Sequence, residues 1–140
     1  RGLMALLDLT VESSIEELQA IANEVDGVAE QQGWSQKTVF ALQVALDEWI
    51  SNVIKYSYKE RPDQPIRVVV NESEHELVAS VEDHGTPFDP ASAAVPETLD
   101  ETLSGKREGG LGLLVMHHLL SDIAVERVNN RNIVTLRVKL

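Results

Sequence analysis

The chain has 140 residues, enough for one compact domain with its own core, and 43% hydrophobic with 25% charged residues is ordinary globular composition. Twelve Lys and Arg stand against 23 Asp and Glu, a formal charge of −11, which argues against a protein that grips phosphate backbones with basic side chains and so against a direct nucleic-acid partner. With no cysteine, no apolar run long enough to cross a bilayer and no signal-peptide pattern at the start, a cytoplasmic protein with no membrane partner is expected.

Leu3 to Leu9 is a short apolar run closing on Asp8-Leu9-Thr10 and reads as a strand. Ser13 or Ser14, followed by Glu16 and Glu17, offers a cap for a helix running to about Gln32. Gly33 breaks that helix and Ser35 can cap the next, where apolar residues recur from Lys37 to Ser57 at Leu42, Leu46, Trp49, Ile50 and Val53. Pro62 and Pro65 end it. Ile66 to Val70 is rich in β-branched residues, Asn71 to Glu74 is a polar turn, and Leu77 to Asp83 alternates apolar with polar, which together predict a hairpin.

Residues 84 to 108 carry Gly85, Pro87, Pro90, Pro96 and Gly105 with little periodicity, too long for a routine connection, and read as a functional loop of the kind that often forms a lid. Leu111 to Leu120 then fits a helix, Ile123 to Val128 a strand, Asn129 to Asn132 a turn, and Ile133 to Leu140 a closing strand with Val134, Leu136 and Val138 on one face, suited to a covered sheet or a partner surface. No repeat or linker divides the chain, so residues 1–140 are one domain. Few helices and hairpin-joined strands predict an α+β fold, a two-layer α/β sandwich with a mixed, mostly antiparallel sheet and helices on one face.

Three stretches interrupt the apolar patterns with polar residues. In DEWISNVIKYSY (47–58), about 100° per residue puts Glu48, Asn52 and Lys55 in one narrow sector beside the core stripe. A solvated helix edge would account for them. So would metal–phosphate chemistry, with the Asn52 carbonyl oxygen as a hard Mg²⁺ ligand, Lys55 as a cation for phosphate, and Glu48 as a group that orients or deprotonates a nucleophile.

In SVEDHGTPFDP (80–90), Asp83 shares strand parity with Leu77, Ala79 and Val81, so its carboxylate points with the apolar side chains and requires a donor. Loop N–H groups can supply one, and so can a ligand amine such as the exocyclic group of adenine. In REGGLGLLVMH (107–117), Gly109, Gly110 and Gly112 precede an apolar helix; they make either a tight loop-to-helix turn or a place where phosphates approach the unpaired N–H groups of a helix start. The spacing is neither a Walker loop nor G-x-G-x-x-G. His117 and His118 are adjacent on a helix, point apart, and complete no metal ligand set.

In this order the three stretches resemble the GHKL, or Bergerat-fold, ATP-binding domains, and most of all the anti-sigma-factor serine kinases of bacteria, over essentially the full length. The family's E-x-x-x-N is matched by Glu48 and Asn52, its D-x-G with a following Pro-Phe by Asp83, Gly85, Pro87 and Phe88, and its G-G-L-G-L by Gly109, Gly110, Leu111, Gly112 and Leu113. The resemblance implies ATP and Mg²⁺ as cofactors. Asn52 would bind the metal, Asp83 the adenine amino group and the glycine stretch the phosphates under a lid, with Glu48 the catalytic base. Thr135 matches a threonine that helps hold adenine in the wider fold, although alternation pairs it with Ile133 and Arg137, opposite Val134, Leu136 and Val138.

The implied activity is that of an anti-sigma factor with protein serine/threonine kinase activity. Its implied partners are a sigma factor and an anti-anti-sigma protein of the STAS type, and a homodimer is implied as well. Sensor histidine kinases share the fold, and NVIKYS is similar to their N-A-x-K-Y-[ST], which is what brings Lys55 into the site. Against them, Glu48 stands where they usually have Asn and Pro87 replaces the second Gly of their D-x-G-x-G, so the expected acceptor is a serine or threonine hydroxyl, which needs a base. Trp49, Val53, Tyr56 and Arg131 depart from the kinase pattern and keep a non-catalytic, nucleotide-binding module of the same fold open as the alternative.

Overall fold

The computed structural model describes residues 5–87 and 110–140, with the backbone alone over 110–113. Strand β1 (Leu7–Glu12) is followed by helices α1 (Glu17–Gln32) and α2 (Gln36–Asn52), a π-helical turn (Val53–Ser57), strands β2 (Pro65–Glu72) and β3 (Glu76–Asp83), helix α3 (Gly110–Leu119), and strands β4 (Asp122–Val128) and β5 (Arg131–Lys139). The five strands form one sheet in the order β1-β2-β3-β5-β4, antiparallel at every pairing, which sharpens the mostly antiparallel sheet expected.

Each helix buries the stripe its sequence provides. Helix α1 places Ile21, Val25 and Ala29 inward at intervals of four, and ends where Gly33 takes a left-handed φ of 73° and returns its N–H to the Ala29 carbonyl at 2.8 Å. Ser35 caps α2 by accepting from the Thr38 N–H at 3.2 Å. From α2 onward Leu42, Leu46, Trp49, Ile50 and Val53 are all buried, as their periodicity predicts. They meet alternate residues of the sheet, Ile66, Val68 and Val70 of β2, Leu77, Ala79 and Val81 of β3, and Val134, Leu136 and Val138 of β5, in one core cluster. The apolar face of the last strand is therefore covered by this chain's own helices.

Three local expectations shift. The first strand lies later than Leu3–Leu9, because residues 7–12 pair in register with β2 from Leu7↔Val70 to Glu12↔Pro65. Neither Ser13 nor Ser14 caps α1, whose N-cap position is Glu16 without a side-chain cap; Ser13 instead donates to the Arg61 carbonyl and accepts from the Gln64 N–H, tying β1 to the loop before β2. Asn132 belongs to β5 and not to the preceding turn, since its partner across the ladder is Asp83. Of the expected loop only residues 84–87 are described; residues 88–108, Phe88 among them, and Gly109 fall outside the described residues.

Tyr58 locks the end of the helical layer to the sheet. Its ring is fully buried, its hydroxyl donates to the Pro65 carbonyl at 2.6 Å, and the same oxygen accepts the His84 N–H at 2.8 Å. Removing the hydroxyl takes a partner from the His84 N–H and from the Pro65 carbonyl, both on exposed residues that water can reach, so Tyr58→Phe is expected to lower unfolding stability by about 0.5–1.5 kcal/mol. Urea titration should show the midpoint fall at unchanged slope, and an unchanged midpoint would show that the lock carries no energy.

Candidate functional site

Toward its C-terminal end α2 carries Glu48 and Asn52 one turn apart on the same edge, where the Asn52 amide nitrogen donates to the Glu48 carboxylate at 3.0 Å. Asn52 is 7% exposed, while Glu48 is half-buried at the mouth of a groove of about 570 Å³ between α1 and α2, lined by Leu18, Ile21, Val25, Phe40 and Val44 among others. Burial pushes the Glu48 carboxyl above its ordinary range; the Asn52 hydrogen bond opposes this, the charge of Asp47 adds to it and that of Lys55 opposes it. Asn52 spends its nitrogen on Glu48, so the oxygen end of the amide is the one left to act as a ligand.

The helix then widens. The Tyr58 N–H reaches back five residues to the Val53 carbonyl at 2.9 Å, the signature of a π turn, and Lys59 and Glu60 follow with φ of 52° and 66°. Within this turn the Lys55 ammonium lies over the Tyr56 ring at 5.4 Å, and its charge is still felt at Glu48. The same turn sets Ser57 fully inward, where its hydroxyl donates to Asp83 Oδ1.

Asp83 is 0% exposed, on the helix-facing side of the last residue of β3, as strand parity predicts. Its Oδ1 accepts from three groups: the Ser57 hydroxyl, the Gly85 N–H at 2.9 Å and Asn132 Nδ2 at 2.9 Å. Its Oδ2 is buried and has no hydrogen-bond partner among the described residues. A buried, unpaired carboxylate oxygen is costly, and such atoms concentrate where a ligand supplies the missing donor.

Gly85 is required by contact. A Cβ on it would run into the Ser57 side-chain oxygen and stand 2.6 Å from the Ser57 carbonyl oxygen. The Thr86 N–H binds that carbonyl at 3.0 Å, so the turn after β3 lies directly on the π turn of the helix layer.

Through Ser57 the structure joins Asp83 and Gly85 to the helical run that carries Glu48 and Asn52. Gly110 to Leu113 form the first turn of α3, whose leading N–H groups lack intrahelical partners, as at any helix start. Thr135 is not brought in: it pairs with Ser80 and Ala124 on the sheet face opposite the core. Ser57, Asn132 and Arg127 escaped the sequence reading, although Asn132 shares strand parity with buried Val134, Leu136 and Val138, a signal hidden by its turn-like neighbours. Trp49 and Val53, which depart from the kinase pattern, are core residues at 1% and 0% exposure.

Among the described residues no group of three His, Cys, Asp or Glu could hold a metal ion, so a cation bound through Asn52 would need further oxygens from its ligand. None of the described helices is long and apolar enough to cross a membrane.

The histidine kinase-like ATPase domain profile matches residues 11–138. The serine/threonine-protein kinase BtrW of Bordetella bronchiseptica is 25% identical over 112 residues, covering 80% of this chain and 78% of that protein. The serine-protein kinase RsbW of Listeria innocua is 31% identical over 102 residues, covering 71% of this chain and 65% of that protein, a little under two thirds. A chain in the crystal structure of the SiaB–SiaC complex from Pseudomonas aeruginosa superposes with a TM-score of 0.64 at 16% identity, over 97% of this chain and 91% of that one, which shows a shared fold.

The steric argument at Gly85 predicts that Gly85→Ala forces the turn off Ser57 and loses about 1–3 kcal/mol of stability, the usual cost of overpacking. Thermal unfolding tests this, and a wild-type midpoint would show that the turn has room to move.

Proposed function

The chain belongs to the histidine kinase-like ATPase domain family, and on that premise we propose that it is an anti-sigma factor with ATP-dependent protein serine/threonine kinase activity. Its substrate would be an anti-anti-sigma protein of the STAS type, and phosphorylation would regulate release of a sigma factor; the working form is a homodimer, with ATP and Mg²⁺ as cofactors. Relatives named serine-protein kinases support the reaction class. The observation that carries the site is Asp83: a fully buried carboxylate with one saturated and one unpartnered oxygen, tied through Ser57 to the helix that bears Glu48 and Asn52.

In this reading Asp83 Oδ2 accepts the amino group of adenine, with Gly85 keeping the turn close enough to reach it. Asn52 offers its amide oxygen to Mg²⁺, and Lys55 with the N–H groups of the stretch from Gly109 to Leu113 meets the phosphates. Bound Mg²⁺ would supply charge neutralisation at the transferred phosphate. Glu48 takes the proton of the attacking hydroxyl. Its half-buried position suits that task, since burial raises the carboxyl's affinity for a proton while the groove leaves it reachable.

Glu48→Gln should keep Mg²⁺-dependent ATP binding in calorimetry and lose phosphoryl transfer to a panel of purified STAS-domain proteins by roughly a hundredfold or more, the usual span of general-base catalysis. Transfer at the wild-type rate would remove the base assignment. Asn52→Ala should instead lose the Mg²⁺-dependent part of ATP binding.

The same carboxyl sets a pH dependence with a definite sign. Because burial raises its folded pKa, Glu48 contributes stability at low pH that is lost as pH rises through that value, so at neutral pH the ionised group is a cost. Glu48→Gln should therefore be no less stable than wild type at pH 7, while wild-type transfer, which needs the ionised base, should fall as pH drops through the same raised pKa. Stability and transfer curves measured between pH 4 and about 8 would separate the two roles.

A further inference from the structure

Asn132 sits where the strand order requires a side chain to face Asp83. Strand β5 lies between β3 and β4, and its second residue is the ladder partner of the last residue of β3. Asn132 is 4% exposed, and its Nδ2 lies 2.9 Å from Asp83 Oδ1, 3.0 Å from Ser57 Oγ and 2.8 Å from the Thr86 carbonyl oxygen. Two amide hydrogens are shared among those acceptors. At the other end, Asn132 Oδ1 accepts from Arg127 Nη1 at 3.1 Å, and the same nitrogen donates to the Gly85 carbonyl at 2.8 Å.

These contacts make the amide directional. With its ends exchanged, Asn132 would set its oxygen against a carboxylate and a carbonyl and its NH₂ against a guanidinium, so every strong contact would become repulsive. Arg127, always charged, is the group that forbids the exchange. The consequence reaches Asp83: the Ser57 hydroxyl, the Gly85 N–H and Asn132 Nδ2 all converge on Oδ1, and Oδ2 is left without a partner among the described residues. Closing a strand end needs no such asymmetry, which an apolar pair would avoid at lower cost.

We propose that Asn132, oriented by Arg127, is a positioning residue that holds the Asp83 carboxylate with Oδ2 free and thereby sets selectivity for a purine nucleoside triphosphate bearing an exocyclic 6-amino group. This rests on the nucleotide-binding reading above and adds to it a determinant outside the three motifs. Arg127 touches no ligand in this account. It acts through Asn132, and Asn132 through Asp83.

The test compares calorimetric binding of ATP and of purine riboside triphosphate, which lacks the 6-amino group, to the full chain with Mg²⁺. Wild type should prefer ATP by roughly ten- to a hundredfold, the value of one hydrogen bond to a charged acceptor. Arg127→Met, at an exposed position and with the apolar stem kept, should shrink that preference severalfold while leaving the affinity for the analogue unchanged. Asn132→Asp, which sets a second carboxylate against Asp83, should do the same, and if that variant fails to fold Arg127→Met still decides.

An unchanged preference in folded Arg127→Met would overturn the proposal, and so would equal weakening of both triphosphates, which is what loss of general structure produces. Wild type binding both equally would overturn it with nucleotide binding intact. Wild type binding neither would end the nucleotide reading and this proposal together.

Discussion

The arrangement depends on one carboxylate set where water does not reach. Asp83 faces the apolar layer at the end of β3, and the charge is tolerable there only because donors are brought to it. The donors come from three separate parts of the chain: Ser57 from the helical layer, Gly85 from the turn after the strand, and Asn132 from the last strand. Satisfying one oxygen therefore fixes the mutual positions of three elements. The second oxygen has no partner among the described residues, a local cost that packing alone would not select.

The π turn makes this convergence possible. The widened turn sets Ser57 against Asp83 and leaves its carbonyl for the Thr86 N–H. Gly85 completes the junction because no side chain fits between that turn and its own backbone. Asn52 and Glu48 lie five and nine residues back from Ser57 along the same helical run, so what fixes Ser57 against Asp83 also fixes the helix that carries them. In the proposed site, the part that would meet adenine, at Asp83, and the part that carries Glu48 and Asn52 are joined at that junction.

How much of this was legible depended on whether the signal was local. The stripe from Leu42 to Val53, the Ser35 cap, the Gly33 break and the inward parity of Asp83 each rest on one element's own periodicity, and each is found where the sequence places it. The roles of Asn132 and Arg127 depend on β5 pairing with β3 rather than following β4 outward, and no periodicity states a strand order. The run Asn129 to Asn132 is composed like a turn, and only Asn129 and Asn130, with φ of 49° and 65°, behave as one. Thr135 shows the opposite error: a motif match put it in the site, while the alternation of its own strand had already set it on the other face.

The acidity of the chain fits this division of labour. A triphosphate approaching a protein of net charge −11 meets adverse charge unless each nearby carboxylate is directed elsewhere. Asp83 is directed at its donors, with only one oxygen left for a neutral amino group. Glu48 is held by the Asn52 amide, which is itself uncharged, so the neutral member of the pair is the one that can face metal and phosphate. Burial then raises the proton affinity of Glu48, which in the proposed reaction would make its ionised form a better acceptor for a hydroxyl proton. That gain depends on cover, which the helix edge provides by burying the Asn52 carboxamide and half-burying the Glu48 carboxylate beside it.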